Sequence, residues 1–220
     1  KVAVDLSGAK NAAGAFWPPA AIVGDVATQR TLPRSNRLDG MAESLKSGII
    51  GDPILWRLVE TRGRAALRTD EAASYANIDR SVQMKLDVVD RDPFERGERR
   101  TLNLGHTLGH ALEIESGYRL PHGKAVVLGL RAADHMATGR GAAPGLAERI
   151  DEVVAGLGYE LTRTFDAAAV KRALTTDKKR IKGRQRWILP MDIGTVVDVD
   201  DISEAELDAA IAHISAGGTR

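Results

Sequence analysis

From Ser35 to the C-terminus, apolar positions recur every three or four residues, the repeat that turns one face of a helix toward a core. Leu38, Met41, Leu45 and Ile49 mark the first such helix, with Ser35 or Asn36 as its expected N-cap. "DPILWRLVETRGRAAL" follows, with Asp52 as cap and Pro53 in the first turn, where a missing N–H is harmless. "DEAASYANIDRSVQMKLDVVDRD" reads as a helix ending near Asp92-Pro93. A stretch with two histidines, "FERGERRTLNLGHTLGHALEIESG", is stopped by Gly117. "HGKAVVLGLRAADHMATGRG" is a helix ended by Gly139 and Gly141, and "APGLAERIDEVVAGLG" and "DAAAVKRALTTDKK" are two more. "RQRWILPMDIGTVVDVDD" changes to β character and turns at Asp192–Gly194 as a hairpin. The last helix, "SEAELDAAIAHISAG", opens on a capping box, Ser203 with Glu206 three residues on.

Residues 1–34 differ. "KVAVDL" and "AAIVGDV" are short β-like runs separated by "GAKNAAGAFWPP", whose Gly and Pro-Pro punctuation fits a loop. The expected fold is therefore mainly α, a helical domain with a small β-hairpin over residues 35–220, preceded by a short α/β remnant over residues 1–34. The chain opens without Met and inside a strand, so it is expected to be a piece of something longer.

Composition narrows the function. Lys and Arg number 31 against 30 Asp and Glu, which argues against a general nucleic-acid binder. Cysteine is absent, so no disulfide forms and any metal must be held by His and carboxylate ligands. No apolar run is long enough for a spanning helix and no signal-peptide pattern opens the chain, so a cytoplasmic protein is expected.

His106 and His110 lie one helical turn apart and share a face, a spacing that lets two imidazoles converge on one ion. Thr107 stands where a metalloprotease of that spacing carries its Glu, which argues against a protease. His122 opens the next helix after a short turn and could return to the same point. Glu43 could supply a carboxylate, since it sits in an otherwise apolar helix where a bare charge is costly to bury. Spacing alone leaves both readings open, a His/Glu metal site or a pair of core histidines. Glu113 and Glu115 read as solvated helix positions, and His135 and His213 have no motif around them.

Taken together, "KNAAGAFWPP", "LPR" followed by G-x-A-E-x-x-K, "RRTLNLGHTLGHALE", "HGKAV" and the "DKK…G…R-x-IL" stretch resemble the 3-dehydroquinate synthase family of the sugar phosphate cyclases, over essentially the whole chain. The resemblance implies an α/β NAD-binding domain followed by a helical metal domain, with residues 1–34 the end of the first and 35–220 the second. It implies the conversion of 3-deoxy-arabino-heptulosonate 7-phosphate to 3-dehydroquinate and phosphate, a step of the shikimate pathway. The route is a transient NAD-dependent oxidation, phosphate elimination, reduction and intramolecular aldol closure. It also implies NAD and Zn2+ (or Co2+) as cofactors and a homodimer for the full-length protein.

By the same resemblance Glu43, His106 and His122 hold the metal, while His110, Lys46, Lys85, Arg99 and Asn103 line the catalytic pocket. Lys10, Asn11 and one lysine of "DKK", Lys178 or Lys179, match substrate contacts, Asp5 a position near the nicotinamide, and Thr31 a contact to the adenosine part of NAD. The residue types suit that chemistry, since a metal acts as Lewis acid and template, and Arg and Lys suit carboxylate and phosphate.

Three features depart from the family. The glycine-rich turn of its nucleotide domain has no counterpart, the stretch between Asp5 and Lys10 is short, and Lys124 stands where the family usually has Glu. These departures keep two other readings open: a sugar phosphate cyclase of secondary metabolism acting on sedoheptulose 7-phosphate or glucose 6-phosphate, and a non-catalytic remnant. A metal-dependent alcohol dehydrogenase shares the two-domain plan but gives no reason for Lys46, Lys85 and Arg99.

Overall fold

The computed structural model describes residues 2–6, 9–15, 17, 19–68, 70–176 and 185–216. At the N-terminus β1 (Val2–Leu6) pairs antiparallel with β2 (Ala9–Ala15), Val4 opposite Ala13. The segment expected to be a loop thus supplies β2. The expected β-run "AAIVGDV" is irregular up to Asp25 and then enters a 3-10 turn, Val26–Arg30. A strand persists only where its N–H and C=O groups find a partner, and β1 pairs with β2 in a two-stranded sheet. Val23 is 94% exposed.

The rest is helical. Among the described residues there are eight α-helices: α1 (Arg34–Gly51), α2 (Pro53–Ala66), α3 (Glu71–Arg91), α4 (His106–Glu115), α5 (His122–Thr138), α6 (Leu146–Leu157), α7 (Ala167–Thr176) and α8 (Glu204–Ile214). Between α7 and α8 lies an antiparallel hairpin, β3 (Trp187–Asp192) and β4 (Thr195–Val199). Asp52 caps α2 by accepting from the Ile54 and Leu55 amides, and the Ser203–Glu206 capping box opens α8. The start of α1 differs from expectation. Helix begins at Arg34 with Pro33, which has no polar side chain, at the N-cap position, so Ser35 and Asn36 lie inside the first turn, where the Ser35 hydroxyl donates to Asn36 Oδ1.

The histidine-bearing stretch is broken as well. A 3-10 turn, Glu98–Asn103, precedes α4, and Gly105 stands between them at φ 74°, left-handed backbone that glycine adopts without strain. His106 is therefore the first residue of α4 rather than an interior one.

α5 is the hub. It is buried along nearly its whole length and packs on α1, α4, α6, α8 and β3. The α4–α5 crossing is close because it is made of glycines. A Cβ on Gly129 would lie 2.0 Å from the Gly105 carbonyl oxygen, and one on Gly109 would lie 3.0 Å from the Ala125 oxygen. This crossing carries the first turns of α4 and α5, and so their histidines, to the face of α1 that holds Glu43. Among the described residues, no helix is long and apolar enough to cross a membrane.

Candidate metal centre

Glu43 lies mid-way along α1, between the buried residues Ala42 and Ser44. Its two carboxylate oxygens face different groups. Oε2 is 2.7 Å from Lys46 Nζ, one turn on, and 3.8 Å from Lys85 Nζ of α3. Lys46 also donates to the Leu102 carbonyl at 2.9 Å and is only 2% exposed, buried far beyond what a lysine usually tolerates without partners. Oε1 faces His106 Nε2 at 3.3 Å and His122 Nε2 at 3.4 Å.

Each imidazole is held from its far side. His106 Nδ1 lies 3.1 Å from the Leu104 carbonyl, and His122 Nδ1 lies 3.2 Å from Glu113 Oε1. With Nδ1–H donating to these acceptors, both rings turn an Nε2 lone pair toward Glu43. Glu43 Oε1 is buried and takes no hydrogen bond from any described residue. Two nitrogen lone pairs and an orphaned carboxylate oxygen thus meet at one point. A tetrahedral ion with ligand bonds of about 2.0–2.1 Å separates its ligand atoms by about 3.3–3.4 Å. The donor set fits zinc.

The electrostatics describe the same cluster when protons, and not an ion, are shared among these atoms. Burial alone would raise the Glu43 carboxyl, but the facing imidazoles of His106 and His122 and the Lys46 ammonium outweigh it and hold the group far below the usual carboxylate range. Burial lowers His106, against the pull of Glu43. His122 is pushed up to about 9, first by Glu113 and then by Glu43.

The third imidazole stands beside these two. His110 lies one turn along α4, its ring 5.3 Å from that of His106 and 6.2 Å from that of His122. Its Nε2 is 3.9 Å from Glu113 Oε2. Glu43, His106 and His122 form one group able to hold a cation, and His110, Glu113 and His122 a second that shares His122.

The structure thus brings Glu43, Lys46, Lys85, His106, His110 and His122 together. Arg99 and Asn103 lie on the 3-10 turn that leads into α4. Arg99 donates to the Pro93 carbonyl at 2.7 Å and Asn103 to Glu95 Oε1 at 3.3 Å. The Thr31 hydroxyl bonds the Thr28 carbonyl at the end of the first 3-10 turn. Asp5, Lys10 and Asn11 lie on β1 and β2, where only the backbone is described, and Lys178 and Lys179 fall outside the described residues.

Glu113 requires a correction. Expected on a solvated face, it is 4% exposed and touches two of the three histidines. The spacing 106, 110, 113 carried the signal, since residues at i, i+4 and i+7 share one helix face. Glu115 is half-buried and accepts from the Asp166 amide. His135 and His213 stack on each other, 4.6 Å apart, remote in sequence from this cluster.

Fold and site define a class: a helical domain that gathers two histidines and a glutamate around one point, with two lysines against the same carboxylate. The family model for the 3-dehydroquinate synthase C-terminal region matches residues 40–180. The chain belongs to that family. A 3-dehydroquinate synthase of Xanthomonas campestris pv. campestris (strain 8004) is 40% identical over 218 residues, 93% of this chain and 58% of the relative. One of Xylella fastidiosa (strain M12) is 38% identical over 97% of this chain and 60% of its own length. The chain therefore spans somewhat less than two thirds of these relatives.

Among solved structures, 2-epi-5-epi-valiolone synthase from Streptomyces hygroscopicus subsp. jinggangensis 5008, solved with NAD+ and Zn2+ bound, superposes with a TM-score of 0.85 at 25% identity, over 95% of this chain and 59% of that one. A 2-deoxy-scyllo-inosose synthase complexed with carbaglucose-6-phosphate, NAD+ and Co2+ gives 0.80 at 20% identity, over 95% and 60%. The latter likeness is one of fold.

Proposed function

We propose that this chain is the metal- and substrate-binding part of a cytoplasmic 3-dehydroquinate synthase that eliminates phosphate from 3-deoxy-arabino-heptulosonate 7-phosphate and closes the carbocycle. Residues 1–34 would be the end of an NAD-binding domain, 35–220 the helical domain, and the complete protein a homodimer. The observation that carries the reading is the meeting of Glu43 Oε1 with His106 Nε2 and His122 Nε2 at 3.3 and 3.4 Å, with Lys46 and Lys85 on the opposite oxygen. The 40% identity to curated 3-dehydroquinate synthases supports the same substrate.

Glu43, His106 and His122 would hold the metal. When bound, the metal supplies Lewis-acid polarisation of substrate hydroxyls and NAD the hydride acceptor and donor. The protein's own groups bind and orient. Lys46, fixed by Glu43 and the Leu102 carbonyl, offers a rigid ammonium to a substrate oxygen. Lys85 is half exposed and loosely paired, so it can turn to an anionic group. Arg99 suits a carboxylate or phosphate by its fork, and Asn103 a hydroxyl. His110, part-exposed beside Glu113, can hold or pass a proton at Nε2.

A second reading, a sugar phosphate cyclase of secondary metabolism, draws support from the likeness to 2-epi-5-epi-valiolone synthase and from Lys124, two residues after His122 in the sequence. The test uses the complete protein with NAD and zinc, measuring phosphate release from the heptulosonate phosphate, sedoheptulose 7-phosphate and glucose 6-phosphate side by side. Turnover of the heptulosonate alone is expected, and turnover of another sugar instead transfers the proposal to the second reading. His122→Ala should reduce release at least about 100-fold. A variant as fast as wild type removes His122 from the metal site.

A further inference from the structure

Glu113 is a buried carboxylate that is itself neither a proposed metal ligand nor a proposed substrate contact. Its face of α4 is that of His106 and His110, and its oxygens divide between two imidazoles: Oε1 lies 3.2 Å from His122 Nδ1, and Oε2 lies 3.9 Å from His110 Nε2. His122 is the first residue of α5 and is anchored to α4 through this contact across the Gly117 turn. An imidazole has two nitrogens, and only one tautomer presents a lone pair at Nε2. A neighbouring acceptor at Nδ1 selects that tautomer and fixes the ring's rotation. His106 obtains the same restraint from a backbone carbonyl, at 3.1 Å. His122 has no such carbonyl among its described partners and takes the restraint from a side chain.

We infer that Glu113 is the positioning residue of the metal centre: it holds His122 with the proton on Nδ1 and Nε2 aimed at the ion. This rests on the metal assignment proposed above. The contact also explains why a carboxylate is buried here, since a charge taken from water is tolerated where partners surround it.

Two variants separate its roles. Glu113→Gln keeps volume and an acceptor oxygen, whereas Glu113→Met keeps volume alone. Zinc dissociation constants, measured by competition with a chromophoric chelator, should rise about 10- to 100-fold in Glu113→Met and distinctly less in Glu113→Gln. In the wild-type protein, 15N spectra of the ring, assigned by its loss in His122→Asn, should show His122 protonated at Nδ1 with zinc bound. Zinc binding by Glu113→Met as tight as wild type, or weakened no more than by Glu113→Gln, overturns the inference. So does a His122 ring protonated at Nε2, an observation that needs no variant to fold. A wild-type protein that binds no zinc instead sinks the metal assignment itself, which keeps the two failures apart.

Discussion

Two carboxylates in this chain are driven in opposite directions by their surroundings. Glu43 is held low by imidazoles and ammoniums, whereas Asp134 on α5, 4% exposed, is pushed up to about 7 by burial and by the nearby charges of Asp151 and Glu148. Arg131, the cation close to it, is engaged bidentately by Asp151, and Asp134 Oδ1 takes no hydrogen bond from a described residue. The folded protein binds the Asp134 proton more tightly than the unfolded chain, whose carboxyl titrates near 3.8. This group's contribution to stability therefore falls as the pH rises from about 4 through about 7. Asp134→Asn removes that loss. Its unfolding free energy from urea titration should match wild type near pH 4 and exceed it at pH 8, by at most about 4 kcal/mol. A difference independent of pH would show that Asp134 is not the titrating group.

At the scale of elements, the site depends on how closely α4 can approach α5. Gly129 and Gly105 let backbone meet backbone, and a methyl group at 129 would fall 2.0 Å from one carbonyl and 2.8 Å from the Gly109 nitrogen. Neither atom belongs to a flexible side chain, so the helices must separate. Gly129→Ala should cost about 3 kcal/mol or more and weaken zinc binding along with stability, since His106 and His122 sit at the ends that move apart. Gly156, exposed in α6 with nothing near its missing Cβ, is the control, and alanine there should stabilise by about 0.5–1 kcal/mol. Chemical denaturation of both variants checks the pair. A Gly129→Ala protein as stable as wild type would contradict the crossing.

At the scale of the molecule, one ion at the proposed centre would join three helices, α1 through Glu43, α4 through His106 and α5 through His122. Binding that favours only the folded state raises stability by mass action, about 2.7 kcal/mol when free zinc is 100 times the dissociation constant. For a chain of this size, the thermal midpoint should then rise by roughly 5–10 °C over the chelator-treated protein. Glu43→Gln should abolish most of that rise and also lower the metal-free midpoint, since it leaves the buried Lys46 ammonium against a neutral amide. A midpoint indifferent to zinc would remove the metal as a link between the helices.

Periodicity, caps and breakers are local, so the chain alone determined most of the helical layout. It set the Asp52-Pro53 start of α2, the Ser203–Glu206 box of α8, the Gly117 stop after α4, and the β3–β4 hairpin turning at Gly194. It also placed His106 and His110 a turn apart and marked Glu43 as a carboxylate in an apolar helix. Only the tertiary structure decided what depends on approach between distant segments. The pairing of β2 with β1, the burial of Lys46 and the burial of Glu113 against His122 all turn on a partner that sequence spacing does not specify. Whether a charged side chain is solvated or buried is set by what packs above it. Here that was the glycine-to-glycine crossing of α4 and α5, which brings His106 and His122 over Glu43.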